Sequence, residues 1–127
     1  MEAETTKIIA RRAREVRKGR GWTAAELGQR MAAQGVPWDR QIVANLENHK
    51  RQNVTVNELL ALARVLDVAP INLLVPPTND GPFHVTPVET VAPSAARAWL
   101  RGDRPLSGTD LRTFRTEVPL DELGGRS

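Results

Sequence analysis

Four residues that follow Asp39 have side chains suited to contacting the edges of DNA base pairs. Arg40, Gln41, Ala44 and Asn45 are spaced so that they share one side of a helix. Arginine can bond guanine O6 and N7 together, and glutamine or asparagine can do the same to adenine N6 and N7. The small side chain of Ala44 would let the helix approach closely. An ordinary solvated helix face is the alternative interpretation.

A second set of residues is suited to binding phosphate. Asn48, Lys50 and Arg51 come directly after this helix, where a helix lying in the major groove would pass the sugar-phosphate backbone. Thr23 stands at the predicted start of the preceding helix, and the free amides of a helix N-terminus favour anions. We therefore predict base contacts from the first set, and phosphate contacts from Thr23, Asn48, Lys50 and Arg51.

Local capping signals predict the helices that position both sets. Thr23 and Thr55 each precede a glutamate by three residues, which is the pattern of a capping box, and Asp39 can cap the helix between them. Gly35 is a predicted C-cap glycine, with Pro37 disfavouring helix at the residue before it. For the first helix, Thr5 or Thr6 is the predicted cap.

Residues 6–75 resemble the phage repressor/Cro-like helix-turn-helix regulators, often called the Xre type. The resemblance lies in WTAAEL, DRQIVANLENHKR, TVNELLALARVLDV and INLL, four elements in the family's order. It implies a five-helix DNA-binding domain, a double-stranded DNA operator as partner, and a structural ion pair between Arg17 and Glu47. The longer turn at residues 31–37 resembles an actinobacterial or phage-like variant. Ala24 and His49 depart from the family, which often has glutamine and glycine there.

The chain divides into a helix-turn-helix domain (1–77), a linker (78–82), a small C-terminal module (83–120) and a disordered tail (121–127). The linker is rich in turn-forming residues. The module has a strand-like stretch at 83–88 and short helical patterns at 94–101 and around residues 111–114. The predicted fold class is therefore mainly α, a five-helix repressor-like domain followed by a module of mixed structure.

Composition restricts the function further. Residues 1–53 hold 11 Lys and Arg against 6 Asp and Glu, whereas residues 54–127 hold 7 against 9, so the N-terminal half suits a polyanionic partner. There is no cysteine, the two histidines lie far apart, and no serine has a nucleophile-elbow context, so we expect no enzyme, metal or cofactor. No long apolar run occurs, and we expect a cytoplasmic protein without a membrane partner.

These observations predict a transcriptional regulator, specifically a repressor, that inserts helix 39–48 into the major groove. An antitoxin of a toxin pair and a protein-interaction adaptor on a helix-turn-helix scaffold are the alternatives. Homodimerisation, or binding of another protein, is predicted through residues 83–118, which carry an apolar set that could instead fold back on the N-terminal domain. That set is Phe83, Val85, Val91, Trp99, Leu100, Leu106 and Phe114.

Overall fold

The computed structural model describes residues 2–106, 108–115 and 119–123. This part of the chain is mainly helical, with one small two-stranded sheet, which confirms the mainly α fold class. The helices are α1 (Glu4–Gly19), α2 (Ala24–Ala33), α3 (Arg40–Glu47), α4 (Val56–Leu66), α5 (Ile71–Leu74), α6 (Pro93–Leu100), α7 (Leu111–Phe114) and α8 (Leu120–Leu123). The strands are β1 (Phe83–Thr86) and β2 (Glu89–Val91).

Side-chain caps start α2, α3 and α4 at the predicted positions. Thr23 and Thr55 each form a complete capping box with the glutamate three residues later. The Asp39 carboxylate accepts the backbone N–H of Ile42 at 2.9 Å. Because these bonds satisfy amides that have no partner within the helix, they fix where each helix begins.

The predicted cap of α1 is wrong. This helix begins at Glu4, Ala3 precedes it without a side-chain cap, and Thr6 is buried within the helix. The backbone N–H of Ala3 instead donates to the carbonyl of Gln52 at 3.1 Å. A tertiary contact with the segment after α3 therefore holds the beginning of α1.

The main core lies among α1 to α5. Its fully enclosed side chains include Ala13, Leu27, Met31, Val43, Leu46, Leu62, Leu66 and Leu73. Two arginines of the α1 region then join the helices at the rim of this core. Arg20 donates to the carbonyl of Leu66 at the end of α4, and Arg12 donates to the carbonyl of Asn72 in α5, at 2.8 and 2.9 Å. These bonds satisfy carbonyls at helix ends.

The C-terminal residues build a second, smaller core against the first domain. The antiparallel pair β1–β2 places Phe83 opposite Val91 and His84 opposite Thr90. Buried Phe83 and Ala96 pack with Val75, and the partly buried side chains around them are Ile8, Ile71, Leu74, Val85 and Val91. The hairpin and α6 thus cover the apolar edge that α1 and α5 leave open.

This packing takes up three of the residues on which the predicted dimer contact was based. Phe83, Val85 and Val91, which motivated a dimer contact, pack inside the molecule against α1 and α5. Arg97 reinforces the junction by donating to the carbonyl of Pro76 at 2.9 Å. Residues 78–82 therefore connect the first five helices with a hairpin and a helix that pack against them.

The end of the described chain contains two short helices. Asp110 caps α7, since its carboxylate accepts the N–H of Thr113 at 2.9 Å. Residues 121–123, predicted as part of a disordered tail, belong to α8, while 124–127 of that tail and 116–118 of the C-terminal module lie outside the described residues. Among the helices described here, none has the length and apolar character to cross a membrane.

Candidate nucleic-acid interface

The predicted base-contacting residues lie on α3, whose opposite side is buried. Val43 and Leu46 are fully enclosed in the core, and Glu47 is buried beside them. Arg40 and Gln41 are exposed, whereas Ala44 and Asn45 are half-buried. The Gln41 side-chain amide donates to Asn45 Oδ1 at 3.0 Å, which orients two of the four predicted residues relative to each other.

The close approach of α2 to the start of α3 depends on Gly28. A Cβ atom at this position would lie 2.7 Å from the carbonyl carbon of Asp39, closer than packed atoms tolerate. Glycine therefore permits backbone contact between α2 and the N-cap of α3. This contact, together with the turn at Gly35, fixes the angle between the two helices.

Gly35 forms the predicted end of α2. Its φ is +86°, its N–H donates to the carbonyl of Ala32, and the N–H of Val36 donates to the carbonyl of Met31. These two bonds are the Schellman pattern, in which a left-handed residue ends a helix. The longer turn therefore has a defined geometry.

Arg17 and Glu47 form an ion pair between α1 and α3. Arg17 Nε lies 2.7 Å from Glu47 Oε2, and Nη2 lies 2.8 Å from Oε1, so the contact is bidentate. The Arg17 Nη1 atom also donates to the carbonyl of Trp22 at 2.7 Å. The hydrogen bond with Glu47 raises the pKa of Arg17 despite the opposing effect of burial. The pair holds α3 against α1 on the side away from its exposed residues.

The exit from α3 is also a Schellman turn, with His49 in the left-handed position. The φ of His49 is +61°, and the N–H of Lys50 donates to the carbonyl of Asn45 at 2.9 Å. Asn48 and Lys50 are exposed there. His49 Nδ1 lies 3.2 Å from the carboxylate of Glu2, so the N-terminal segment contacts the same turn. Asn48 and Lys50 are thus available to an external anion.

Arg51, a predicted phosphate contact, forms an ion pair with Glu58. Its Nη2 donates to Glu58 Oε1 at 2.9 Å, its guanidinium lies 5.6 Å from the ring of Trp38, and its side chain is 24% exposed. Glu58 also accepts the indole N–H of Trp38 and the backbone N–H of Thr55. Burial alone would raise the pKa of Glu58, but these hydrogen bonds, the one from Arg51 foremost, lower it overall.

Thr23 is exposed, but part of its hydrogen-bonding capacity is used by the capping box. Its Oγ1 accepts the N–H of Glu26, and the Glu26 carboxylate accepts the N–H of Thr23, both at 3.1 Å. The Glu26 carboxylate already occupies part of the N-terminus of α2 that an anion would use. The Arg30 guanidinium lies 3.9 Å from the ring of Trp22 nearby.

Several residues that shape this surface were not identified from the sequence. Gly28 carried a weak signal, because an isolated glycine within a helical pattern often marks a close contact. Glu58 was predicted only as a cap, and its bonds to Trp38 and Arg51 have no local sequence signal. The pairing of Glu2 with His49 joins residues 47 positions apart, which no periodicity could reveal.

No family model matches the sequence, and neither a curated protein nor a solved structure matches it significantly. Across residues 2–106, 108–115 and 119–123, no group of three or more histidine, cysteine, aspartate or glutamate side chains could hold a metal ion.

Proposed function

We propose that this protein is a sequence-specific double-stranded-DNA-binding transcriptional regulator, a repressor with α3 lying in the major groove. The proposed fold is a repressor-like helix-turn-helix domain formed by α1 to α5. The observation that supports it best is the polar side of α3, where Arg40 and Gln41 are exposed while the opposite side is fixed by the core and by Glu47.

The dimensions of α3 suit this role. An α-helix with its side chains is about 10–12 Å across and the major groove is about 12 Å wide, so α3 can lie in the groove. Arg40 could bond guanine, and Gln41 and Asn45 could each bond adenine. Because Gln41 donates to Asn45 in the free protein, base binding would exchange this bond for bonds to base edges.

Asn48 and Lys50 are the strongest candidates for phosphate contacts, because both are exposed at the exit from α3. Arg51 is engaged with Glu58, so a phosphate contact from Arg51 would have to share or replace that ion pair. Thr23 retains a hydroxyl proton that it could donate. We therefore expect Lys50 to contribute more to the electrostatic part of binding than Arg51.

The test is selection of binding sites from a library of random duplexes with the full-length protein. Replacing Arg40, Gln41 or Asn45 with alanine should cost about 1–3 kcal/mol on the selected site and relax preference at one base position. Replacing Lys50 should weaken binding to all duplexes and lower the log-log salt slope by about one unit. Arg64→Ala, an exposed cation in α4, is the matched control and should change neither property. Failure to enrich any sequence would favour the adaptor hypothesis.

Homodimerisation remains part of the proposal because two half-sites about 34 Å apart need two α3 helices. The apolar residues still exposed in the C-terminal region include Val88 at 95%, Leu100 at 38% and Leu111 at 45%. Truncation at Pro77 would uncover the partners of Phe83 and is therefore a poor test. Sedimentation of the full chain beside a Val88→Asp, Leu111→Asp variant is cleaner. A monomer in both, with and without operator duplex, would contradict a dimer.

A further inference from the structure

A line of basic side chains runs along one face of α1. At about 100° per residue, positions three or four apart on a helix face the same way, and these basic residues fall within about 60° of one another around the axis. We name them the α1 stripe. Its members are Lys7, Arg11, Arg14 and Lys18. From first to last they extend about 16 Å along the helix, at about 1.5 Å per residue.

Three members of the α1 stripe are exposed and unpaired. Arg11, Arg14 and Lys18 are exposed, and within the described part of the chain their side chains form no ion pair or hydrogen bond. Other arginines of the same region bind inside the molecule, since Arg12 and Arg20 donate to carbonyls of α5 and α4. The structure therefore gives those two an internal role and leaves the three exposed cations without one.

Neighbouring acidic residues do not cancel this charge. Lys7 pairs with Glu4 at 3.2 Å at the N-terminal end of the α1 stripe. The Glu15 carboxylate, on an adjoining side of the helix, pairs with Arg12 at 3.6 Å. Each of these carboxylates already offsets a cation of its own. The net charge of this face is therefore that of the three unpaired members of the stripe.

The α1 stripe has the shape of a site for an extended polyanion. A compact anion binds where donors converge on one point, whereas the members of the stripe follow one another along a convex helix surface. One strand of a duplex carries a charge per about 3.4 Å of axis, so about five phosphates match the length of about 16 Å. A lipid surface is a weaker match, because no large apolar side chain of α1 is exposed that could enter it.

The α1 stripe begins beside the turn that carries the proposed phosphate contacts. The N–H of Ala3 donates to the carbonyl of Gln52 at 3.1 Å, and Glu2 contacts His49. The beginning of α1 is therefore held against the segment that follows α3 and includes Lys50. The first member of the stripe lies about one helical turn beyond Ala3. A DNA strand in contact with Lys50 would reach the stripe by continuing past this turn.

We infer that the α1 stripe binds the sugar-phosphate backbone of duplex DNA outside the half-site that α3 contacts. The choice of the operator duplex as the polyanion rests on the proposed function. Because phosphate contacts carry no sequence information, the stripe adds affinity and salt dependence for any flanking sequence. The stretch of duplex bound by one protomer is then longer than the stretch whose bases it reads.

The experiment measures the binding of full-length protein to two duplexes by fluorescence anisotropy. Both carry the selected site; one ends at its edges, and the other extends about one helical turn, about 10 base pairs, beyond it on each side. The double variant Arg11→Gln, Arg14→Gln should lower the log-log salt slope on the extended duplex by about two units per protomer, since each lost phosphate contact removes about 0.9. Binding at about 0.1 M salt should be at least about 10-fold weaker. On the short duplex the slope should not change.

A charge-matched variant supplies the control. Arg64→Gln, Arg104→Gln removes two positive charges from exposed positions in α4 and after α6, and it should change the slope on neither duplex. Any effect of the overall net charge would appear equally in both double variants. Arginine and glutamine have similar helix propensities, and all four positions are exposed, so both double variants should unfold at the temperature of the wild type.

The outcomes separate this inference from the proposed function. If a site is selected and the two double variants have equal slopes on the extended duplex, only the inference fails. An equal loss for Arg11→Gln, Arg14→Gln on both duplexes would also overturn it, by placing the contact within the half-site. If no sequence is selected but this variant still loses two units on random extended duplexes, the α1 stripe stands and sequence-specific regulation fails.

Two further outcomes would overturn the duplex as the partner. Binding to phosphatidylserine vesicles that is lost in Arg11→Gln, Arg14→Gln, with no change in the DNA salt slope, would assign the α1 stripe to a membrane surface. Absence of binding to any duplex would contradict both the inference and the proposed function.

Discussion

Replacing Arg17 with methionine should cause one of the largest losses of stability available to a single substitution. Methionine keeps much of the apolar stem but removes two bonds to Glu47 and one to the carbonyl of Trp22. The two charged side chains are 10% and 8% exposed, so the substitution would leave Glu47 buried without its partner. Breaking one member of a buried pair costs about 3–5 kcal/mol, against a typical domain stability of about 5–15 kcal/mol.

Urea denaturation followed by circular dichroism would measure this loss. The double variant Arg17→Met, Glu47→Leu should be more stable than Arg17→Met alone, because no unpaired charge remains. It should still lose about 1–3 kcal/mol relative to wild type, since the carbonyl of Trp22 has lost its donor. Lys7→Met is the matched control on the same helix: its pair with Glu4 is 44% and 56% exposed, and its loss should cost below about 1 kcal/mol.

Two results would refute this reasoning about the buried pair. One is a cost for Arg17→Met as small as that for Lys7→Met, which would mean that water reaches Glu47 freely. The other is a double variant no more stable than the single variant, which would mean that lost packing, and not the unpaired carboxylate, causes the destabilisation.

Three further predictions concern the same framework. Gly28→Ala should destabilise by about 1–3 kcal/mol in urea because its methyl group would lie 2.7 Å from the backbone before α3, whereas Gly19→Ala, with open space around it, should be neutral or stabilising. His49→Gly should raise the free energy of unfolding by about 1 kcal/mol, because glycine adopts the left-handed conformation without strain. Asp67→Gly, at a similar φ, should have the same effect. A loss of stability in both variants in thermal unfolding would contradict the argument from strain. The pKa of Glu58 is lowered in the folded protein, so its contribution to stability is fully present above its ordinary pKa of 4.5 and is lost as pH falls through the folded-state pKa. The difference in unfolding free energy between wild type and Glu58→Gln, measured over a series of pH values, should therefore shrink below pH 4.5.

Local sequence determined the secondary structure most directly. The caps Thr23, Asp39 and Thr55 each bond a backbone N–H three residues away, so their partners lie in the same short segment. Gly35 ends α2 for a similar reason, because its left-handed turn depends on the glycine itself and on residues a few positions away. The predicted pairing of Arg17 with Glu47 came from the family resemblance and not from local pattern.

Only the tertiary structure decided how those segments use their remaining polar and apolar groups. Arg51 and Trp38 both donate to Glu58 near the beginning of α4, so the Arg51 guanidinium is engaged within the molecule. By their sequence, the apolar residues of β1 and β2 are as compatible with a dimer contact as with an internal one. In the structure they pack internally, against apolar side chains of α1 and α5. The physical reason is the sequence separation of the interacting groups. Caps and turns form between residues a few positions apart, whereas burial depends on which surface, distant in sequence, packs against an apolar side chain and excludes water from it.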